Sequence, residues 1–272
     1  VLFGITPAQS YVIDSSVQIT AVAPPGSAGN VEITVVTPTG ATSGLPYEYW
    51  DPTVPAAPTA FFEAGDYAIA LGVGTWTARA GAFTATHAAN YPDDSPAGTP
   101  NFVVANTDRL GIDAVNQWED LITRAPVNGA TIAVALDLTS VSGLANNIIS
   151  EPNFYGALIL EPTNKATFYY WDGTYKSVQM TVPASGRIVI VVIRDISGTP
   201  VLKMTLDGVS WTTGDTVGTM SALAAGNVWL GYNQALSLYP LDARLITVVT
   251  AKTAWSLAEA EKFQRWAANR HT

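Results

Sequence analysis

The sequence predicts an all-β protein, with short strands stacked as antiparallel sheets and one helix at the C-terminal end. Apolar and polar residues alternate in short runs between Pro- and Gly-containing turns, which is the pattern of half-buried strands. Only 13% of the residues are charged, against 22 Gly and 17 Pro, a composition unlike that of helical bundles or coiled coils. Helical spacing is convincing only near the C-terminus, after Ser256. The 48% hydrophobic share is enough to fill a core, and 272 residues correspond to one large or two modest domains at about 150 residues each.

The first fifty residues read as short strands. Val17, Ile19 and Ala21 alternate with Gln18, Thr20 and Val22 before Pro24, Pro25 and Gly26 force a turn. Val31, Ile33 and Val35 alternate with Glu32, Thr34 and Val36, and Pro38-Thr39-Gly40 turns the chain again. Fifty residues make a thin sandwich, because small domains bury little of their surface. Asp51 to Ala60 then reads as a linker. Pro52, Pro55 and Pro58 recur at every third position, each fixing φ and removing a donor, so an extended, semi-rigid segment is expected. The same spacing would suit an SH3-type groove, but the flanking arginine such grooves favour is missing.

Beyond the linker the best strand candidates are Thr131 to Leu138, Ala157 to Leu160, Ala166 to Trp171, Ser177 to Val182, Arg187 to Arg194, Val201 to Leu206, Val228 to Tyr232 and Ala243 to Thr250. Ile188 to Ile193 lacks alternation, as a central strand buried on both faces should. Asp172-Gly173 and Asp207-Gly208 are hairpin signals, since glycine tolerates positive φ. Strands at this density predict a two-sheet sandwich. Ser256 and Glu259 form an S-x-x-E capping box, and Leu257, Ala260, Phe263, Trp266 and Ala267 make an apolar stripe behind it. Glu259 and Glu261 near its start and Arg265 and Arg270 near its end agree with the helix dipole.

Two resemblances refine this picture. Phe3-Gly4, Gln18 to Ala21, Pro24 to Gly29 and Val31 to Val36 followed by Thr37-Pro38-Thr39-Gly40 resemble the later half of an IPT/TIG Ig-like domain. That family's opening strands have no counterpart before Val1, so the resemblance implies a partial Ig-like β-sandwich over 1–50, its edges unpaired unless another segment or chain covers them. Over 61–272 the segment order resembles a concanavalin A-like, laminin-G-type jelly roll of phage and bacterial surface proteins. Thr75-Trp76-Thr77-Ala78-Arg79-Ala80-Gly81 is similar to its early tryptophan segment, and Asp108-Arg109-Leu110 to its entry into the next strand. Leu202 to Gly208 is similar to its strand and D/N-G hairpin, and Val228 to Tyr232 through Ile246 to the Leu257 helix resembles its closing pattern. The expected order is thus a partial Ig-like module (1–50), a Pro-rich linker (51–60) and a jelly roll (61–272).

Several function classes are excluded or disfavoured. Thirteen Lys and Arg against 22 Asp and Glu leave a net charge of −9, unsuited to a broad phosphate-binding face, so no nucleic-acid partner is expected. Without cysteine there are no disulfides, thiolate chemistry or Cys-based zinc sites. The longest strongly apolar run, Ile188 to Ile193, is far too short for membrane insertion. No signal-peptide pattern follows Val1, as expected of a mature or trimmed product. Hydrolases of the jelly-roll type carry E-x-D-x-x-E on one strand, and no such spacing occurs. Glu119 and Asp120 are adjacent and would face opposite sides of a strand, while Glu259 and Glu261 belong to the helix. His87, expected in a loop, and His271 lack a nucleophile elbow or a carboxylate partner, and Gly72-Val73-Gly74 lacks the third glycine of a nucleotide loop. No catalytic residues and no enzymatic activity are expected.

Two candidate sites remain. Asp93 and Asp94 in a Pro-flanked loop, or Asp113 with Asn116, offer oxygens to calcium, although calcium wants six or more and paired loop acids are commonly just solvated. No other cofactor is expected. Phe168, Tyr169, Tyr170 and Trp171 run together before Asp172-Gly173, with Tyr175 after the turn. On a strand Tyr169 and Trp171 share one face and Phe168 and Tyr170 the other, so one pair enters the core and the other can stand on the sheet surface. Exposed rings stack on sugar C–H faces, and Asp172, Tyr232 and Asn233 can bind hydroxyls beside them. The glycan-binding candidates are therefore Tyr169, Tyr170, Trp171, Asp172, Tyr232 and Asn233. The resemblances imply an extracellular or virion-surface protein, a head-decoration, fibre or tail component or a bacterial adhesin, whose jelly roll binds cell-surface polysaccharide. The alternatives are a structural decoration acting through contacts with other virion or surface-structure proteins or by forming a homo-oligomer and, ranked behind it, a polysaccharide-degrading glycosidase, which has the fold analogy but lacks the carboxylate pair.

Overall fold

A computed structural model describes residues 1–24, 26, 29–42, 44–49, 58–63, 66–70, 73–87, 103–104, 110–112, 129–139, 146–150, 156–220, 228–231 and 243–268. The chain divides into two compact units, Val1–Val54 and Pro55–Thr272. The strands and the single described helix make it an all-β protein of antiparallel sheets.

The first unit contains β1 (Leu2–Phe3), β2 (Thr6–Pro7), β3 (Ser10–Ser15), β4 (Gln18–Val22), β5 (Gly29–Thr34), β6 (Val36–Thr37), β7 (Gly40–Ala41) and β8 (Leu45–Tyr49). They form a four-stranded sheet, β2-β1-β5-β8, and two hairpins, β3-β4 and β6-β7. Its small core is aromatic: Phe3 meets Tyr47 edge-on at 4.9 Å, and Tyr47 meets Tyr49 at 5.1 Å. Tyr11, Val12 and Ile13 of β3 all stay exposed. So short a unit has few residues with which to bury its apolar side chains.

The second unit contains β9 (Ala60–Glu63), β10 (Tyr67–Ala70), β11 (Val73–Thr77), β12 (Thr84–His87), β13 (Val103–Val104), β14 (Leu110–Ile112), β15 (Ala130–Leu138), β16 (Asn146–Ser150), β17 (Gly156–Glu161), β18 (Lys165–Trp171), β19 (Tyr175–Thr181), β20 (Gly186–Asp195), β21 (Val201–Thr205), β22 (Thr212–Thr216), β23 (Val228–Leu230), β24 (Ala243–Ala251) and the helix α1 (Leu257–Ala268). A nine-stranded sheet runs β10-β11-β12-β14-β23-β16-β17-β18-β19; a seven-stranded one runs β13-β24-β15-β20-β21-β22, with β9 added beside β24. Leu158, Leu160, Phe168 and Val178 of the first sheet and Ile132, Val134, Ile190 and Val192 of the second belong to one core cluster.

The helix covers the other face of the seven-stranded sheet. Gln264 donates from Nε2 to the Val189 carbonyl at 3.0 Å, and Phe263 and Trp266 form an aromatic group with Trp255 and Phe61. β20 is thus apolar on both faces because each face has its own partner, which accounts for the unbroken Ile188–Ile193 run. The capping box forms: Ser256 N donates to Glu259 Oε2 at 2.6 Å and Glu259 N to Ser256 Oγ at 3.2 Å. Trp76, fully buried, stacks near Phe62 and donates to the Glu63 carbonyl. Gly81 after it has φ +76°, and a Cβ there would sit 2.1 Å from the Thr59 carbonyl oxygen. A glycine is therefore required where that segment leaves its strand.

Of the proline-rich segment, 51–57 lies outside the described residues. Thr59 already donates to the Thr250 carbonyl at 2.7 Å, and Ala60 pairs with Thr250, because β24 needs a neighbour on that edge. His87, expected in a loop, ends β12 and pairs with Leu110. Local polarity around it gave no hint of that long-range pairing.

Candidate aromatic binding face

The candidate site is built on the β17–β18–β19 meander at one edge of the nine-stranded sheet. Cross-strand register sets its two faces. Phe168 lies opposite Leu158 and Val178, and Ala166 opposite Leu160 and Met180, so Ala166, Phe168 and Tyr170 point into the core. Tyr169, opposite Ala157 and Ser177, and Trp171, opposite Tyr175, stand on the outer face.

Tyr169, Trp171 and Tyr175 form one aromatic ridge there. Trp171 and Tyr175 meet at 4.6 Å with planes 64° apart, and Tyr169 and Tyr175 at 6.0 Å and 76°. Such edge-to-face contacts suit the quadrupoles of the rings and lock them mutually in place. Tyr175 is 56% exposed, while Tyr169 and Trp171 are half-buried. The Tyr169 hydroxyl donates to Glu161 Oε1 at 2.8 Å. Glu161 lies four residues along β17 from Ala157, the partner of Tyr169, or about 13 Å at the usual strand rise. The ring must therefore lean along the sheet, over the Ile159–Thr167 row, and Thr167 beneath it is only 1% exposed. Burial, the hydrogen bond to Glu161 and the nearby negative charge push the Tyr169 phenol up to about 12, so it stays a neutral donor.

The remaining candidates occupy different places. Tyr170, expected among the surface rings as one alternative, is 2% exposed in the core. Its hydroxyl donates to the Gly218 carbonyl at 2.8 Å and accepts from Arg194 Nη1 at 3.2 Å. Burial raises its pKa, against the opposing pull of Arg194. It is removed from the ligand-contacting set, because its face is the one that meets Leu158, Val178 and the second sheet. Asp172 is not aimed at a ligand either. Oδ2 accepts from Gly218 N at 2.7 Å, and Oδ1 accepts from Thr174 N at 3.3 Å and its hydroxyl at 3.2 Å. Partial burial pushes the Asp172 carboxyl up, but these hydrogen bonds and Lys176 outweigh it and hold its pKa below the usual value. Asp172 is thus a positioning residue that closes the three-residue turn, where Gly173 takes φ +107°. Tyr232, Asn233, Asp93, Asp94, Asp113 and Asn116 lie outside the described residues. Among the described residues no group of three or more His, Asp or Glu side chains could hold a metal.

Sequence reasoning missed Glu161 and Asp215. Asp215 Oδ2 accepts from Ser177 N at 2.8 Å, satisfying an amide on the outer edge of β19. Gly214 beside it lets the strands close up, for a Cβ there would lie 2.3 Å from the Ser177 carbonyl oxygen. Neither link has a local signal, since 161 and 215 meet their partners only through the sheet register.

No protein-family model matches the sequence, and no curated protein sequence matches it either. Solved structures are similar in fold. A Trypanosoma rangeli sialidase in complex with 2,3-difluoro-KDN is 11% identical with a TM-score of 0.53, over 75% of this chain and 32% of that one. The binding domain of botulinum neurotoxin serotype D is 9% identical with a TM-score of 0.54, over 79% of this chain and 52% of that one. A Ruminococcus gnavus IT-sialidase CBM40 bound to α2,3 sialyllactose is 14% identical with a TM-score of 0.43, over 52% of this chain and 84% of that one. The chain thus spans about a third of the sialidase and about half of the neurotoxin domain. At these identities the first two likenesses establish a shared β-sandwich fold. Among the described residues no helix is long and apolar enough to cross a membrane.

Proposed function

We propose that the second unit is a non-catalytic carbohydrate-binding module that grips cell-surface polysaccharide through the Tyr169–Trp171–Tyr175 ridge. The observation that carries this reading is an exposed ring, Tyr175, braced by the two half-buried rings of Tyr169 and Trp171 on the face of a sheet that also carries hydroxyl and amide groups. A rigid aromatic surface costs little entropy on binding and matches the C–H faces of a sugar ring. Ser177 and Gln179, on the same face of β19, supply hydrogen-bonding groups next to Tyr169 and Thr167. The similar structures include a sialidase, a neurotoxin binding domain and a sialyllactose-bound module, which is compatible with a glycan ligand. The non-catalytic reading is supported by the acids themselves: Glu161 is tied to Tyr169, Asp172 to its own turn and Asp215 to Ser177. None forms a facing pair across an open groove, as glycoside hydrolysis needs.

In its finer form the proposal is a partial IPT/TIG Ig-like module and a laminin-G-type jelly roll, displayed outside the cell or on a virion as a head-decoration, fibre or tail protein. A second reading, structural decoration through protein–protein contacts, is favoured by the first unit, where Ile5 is 97%, Val17 94% and Leu45 66% exposed.

Glycan-array binding of the full chain beside its Trp171→Ala and Tyr175→Ala variants tests the primary reading. Retention of at least one polysaccharide, lost by at least tenfold in both variants while the fold is kept, is the expected result. A folded protein that retains no glycan, or variants that bind as well as the parent, would overturn it.

A further inference from the structure

We propose that the Tyr169–Trp171–Tyr175 ridge takes uncharged sugars and turns acidic ones away. This rests on the glycan-platform reading and specifies its ligand class. The ring geometry first sets the kind of contact. At 4.6 Å and 6.0 Å between centroids the rings touch one another, leaving no gap to enclose a quaternary ammonium as an aromatic cage does. Ligand must therefore meet their outward surfaces, which suits a hexose ring lying flat.

Charge then narrows the ligand. One carboxylate bonds a ridge ring, Glu161 to the Tyr169 hydroxyl; Asp215 accepts from the backbone amide of Ser177, the residue opposite Tyr169, while Asp172 is held by Gly218 and Thr174 with Lys176 beside it. On the ridge face of β17–β19 the one cation is Lys165, directly across from Glu161. Lys176 opposes Tyr170 and so leaves the strand on the other face. Arg194 is 3% exposed, committed to Tyr170 on the core side.

A sialic or uronic acid carboxylate needs charge-assisted donors, most often the arginine fork. The described residues of this face offer none beside Trp171 or Tyr175. They offer instead hydroxyl and amide groups, Ser177 and Gln179, which match sugar hydroxyls. The overall charge of −9 works in the same direction at low ionic strength. The two sialic acid-related complexes among the similar structures are thus no guide to the ligand here.

The test is affinity electrophoresis of the full chain through gels holding neutral glucan, galactan, mannan or methyl-esterified galacturonan, beside gels holding polysialic acid or free polygalacturonate. The expected result is retardation by at least one neutral polymer, lost in Trp171→Ala, with acidic polymers at least threefold weaker at low salt. Threefold is about the Coulomb penalty of one like-charge pair ~7 Å apart in water. The gap should narrow in high salt, where repulsion is screened. Stronger retention on an acidic polymer, sensitive to Trp171→Ala, would overturn this ligand class and leave the platform standing. No Trp171-dependent retention on any gel would overturn both.

Discussion

Tyr169 and Tyr170 are adjacent and chemically identical, yet the fold gives them opposite duties. Their faces follow from Leu158 and Val178 closing on Phe168, a long-range fact that no pattern within Phe168–Trp171 contains. The sequence therefore disclosed the aromatic cluster and its alternation but left open which half faced out. Three outcomes follow at this scale. Tyr170→Phe removes a hydrogen-bond partner of both the Gly218 carbonyl and Arg194 and should cost about 1–3 kcal/mol in chemical denaturation, the cost of losing buried hydrogen bonds. Trp171→Ala and Tyr175→Ala, outside the core, should each change stability by less than about 1 kcal/mol. An equal loss in all three would contradict the assigned faces. Titration offers a separate check. The folded pKa of Tyr169, about 12, exceeds the ordinary unfolded value near 10, so its stabilising contribution is complete below pH ~10 and is lost as pH rises through ~12. Ultraviolet difference spectra should show a group of late-ionising tyrosines that includes the buried Tyr170, and Tyr169→Phe should remove one equivalent from that late step. Asp172 has the opposite sign: its depressed folded pKa gives a contribution present above pH ~4 and lost as pH falls through the lower folded value. Asp172→Asn should flatten that acid limb in stability-versus-pH curves.

Among elements, legibility depended on whether an element carried its own apolar signal. The β20 run and the S-x-x-E box of α1 are written locally, and both appear where expected. β16 begins Asn146-Asn147 and β22 reads Thr212-Thr213-Gly214-Asp215-Thr216, so neither advertises a strand. Both form because neighbours supply the pairing, β17 and β23 for the first and β21 for the second. The close approach of β22 to β19 supports the site from behind, and it depends on Gly214. Gly214→Ala should force the strands apart and destabilise the second unit, by about 1–3 kcal/mol for an overpacked contact. Calorimetry of that variant, alongside Gly173→Ala, separates two causes. Gly173 has open space around it, so its penalty comes from its φ of +107° alone. Ser256→Ala is a further element-scale test, expected to lower stability by about 1 kcal/mol through the lost helix cap.

At the scale of the whole chain, the two units differ most in how much they bury. In the first, Phe3 is the one buried side chain of its aromatic group, while Ile5, Tyr11, Val12, Ile13, Val17, Val36 and Leu45 remain exposed. In the second, two sheets share one continuous apolar core and the helix shields a further face. Fold stability scales with the area removed from water, at roughly 25 cal/mol per Å², and backbone ordering costs about 1–2 kcal/mol for each residue in either unit. A fragment of residues 55–272 should therefore unfold in one cooperative transition and keep whatever glycan retention the full chain shows. A fragment of residues 1–54 should show no cooperative transition by circular dichroism, because its apolar surface lacks partners within itself. It should also bind hydrophobic dyes and self-associate as its concentration rises, through the open edges of β3 and β4. A sharp, concentration-independent melt of 1–54 would show that its small aromatic core suffices, and the protein-contact reading of its exposed surface would lose its main support.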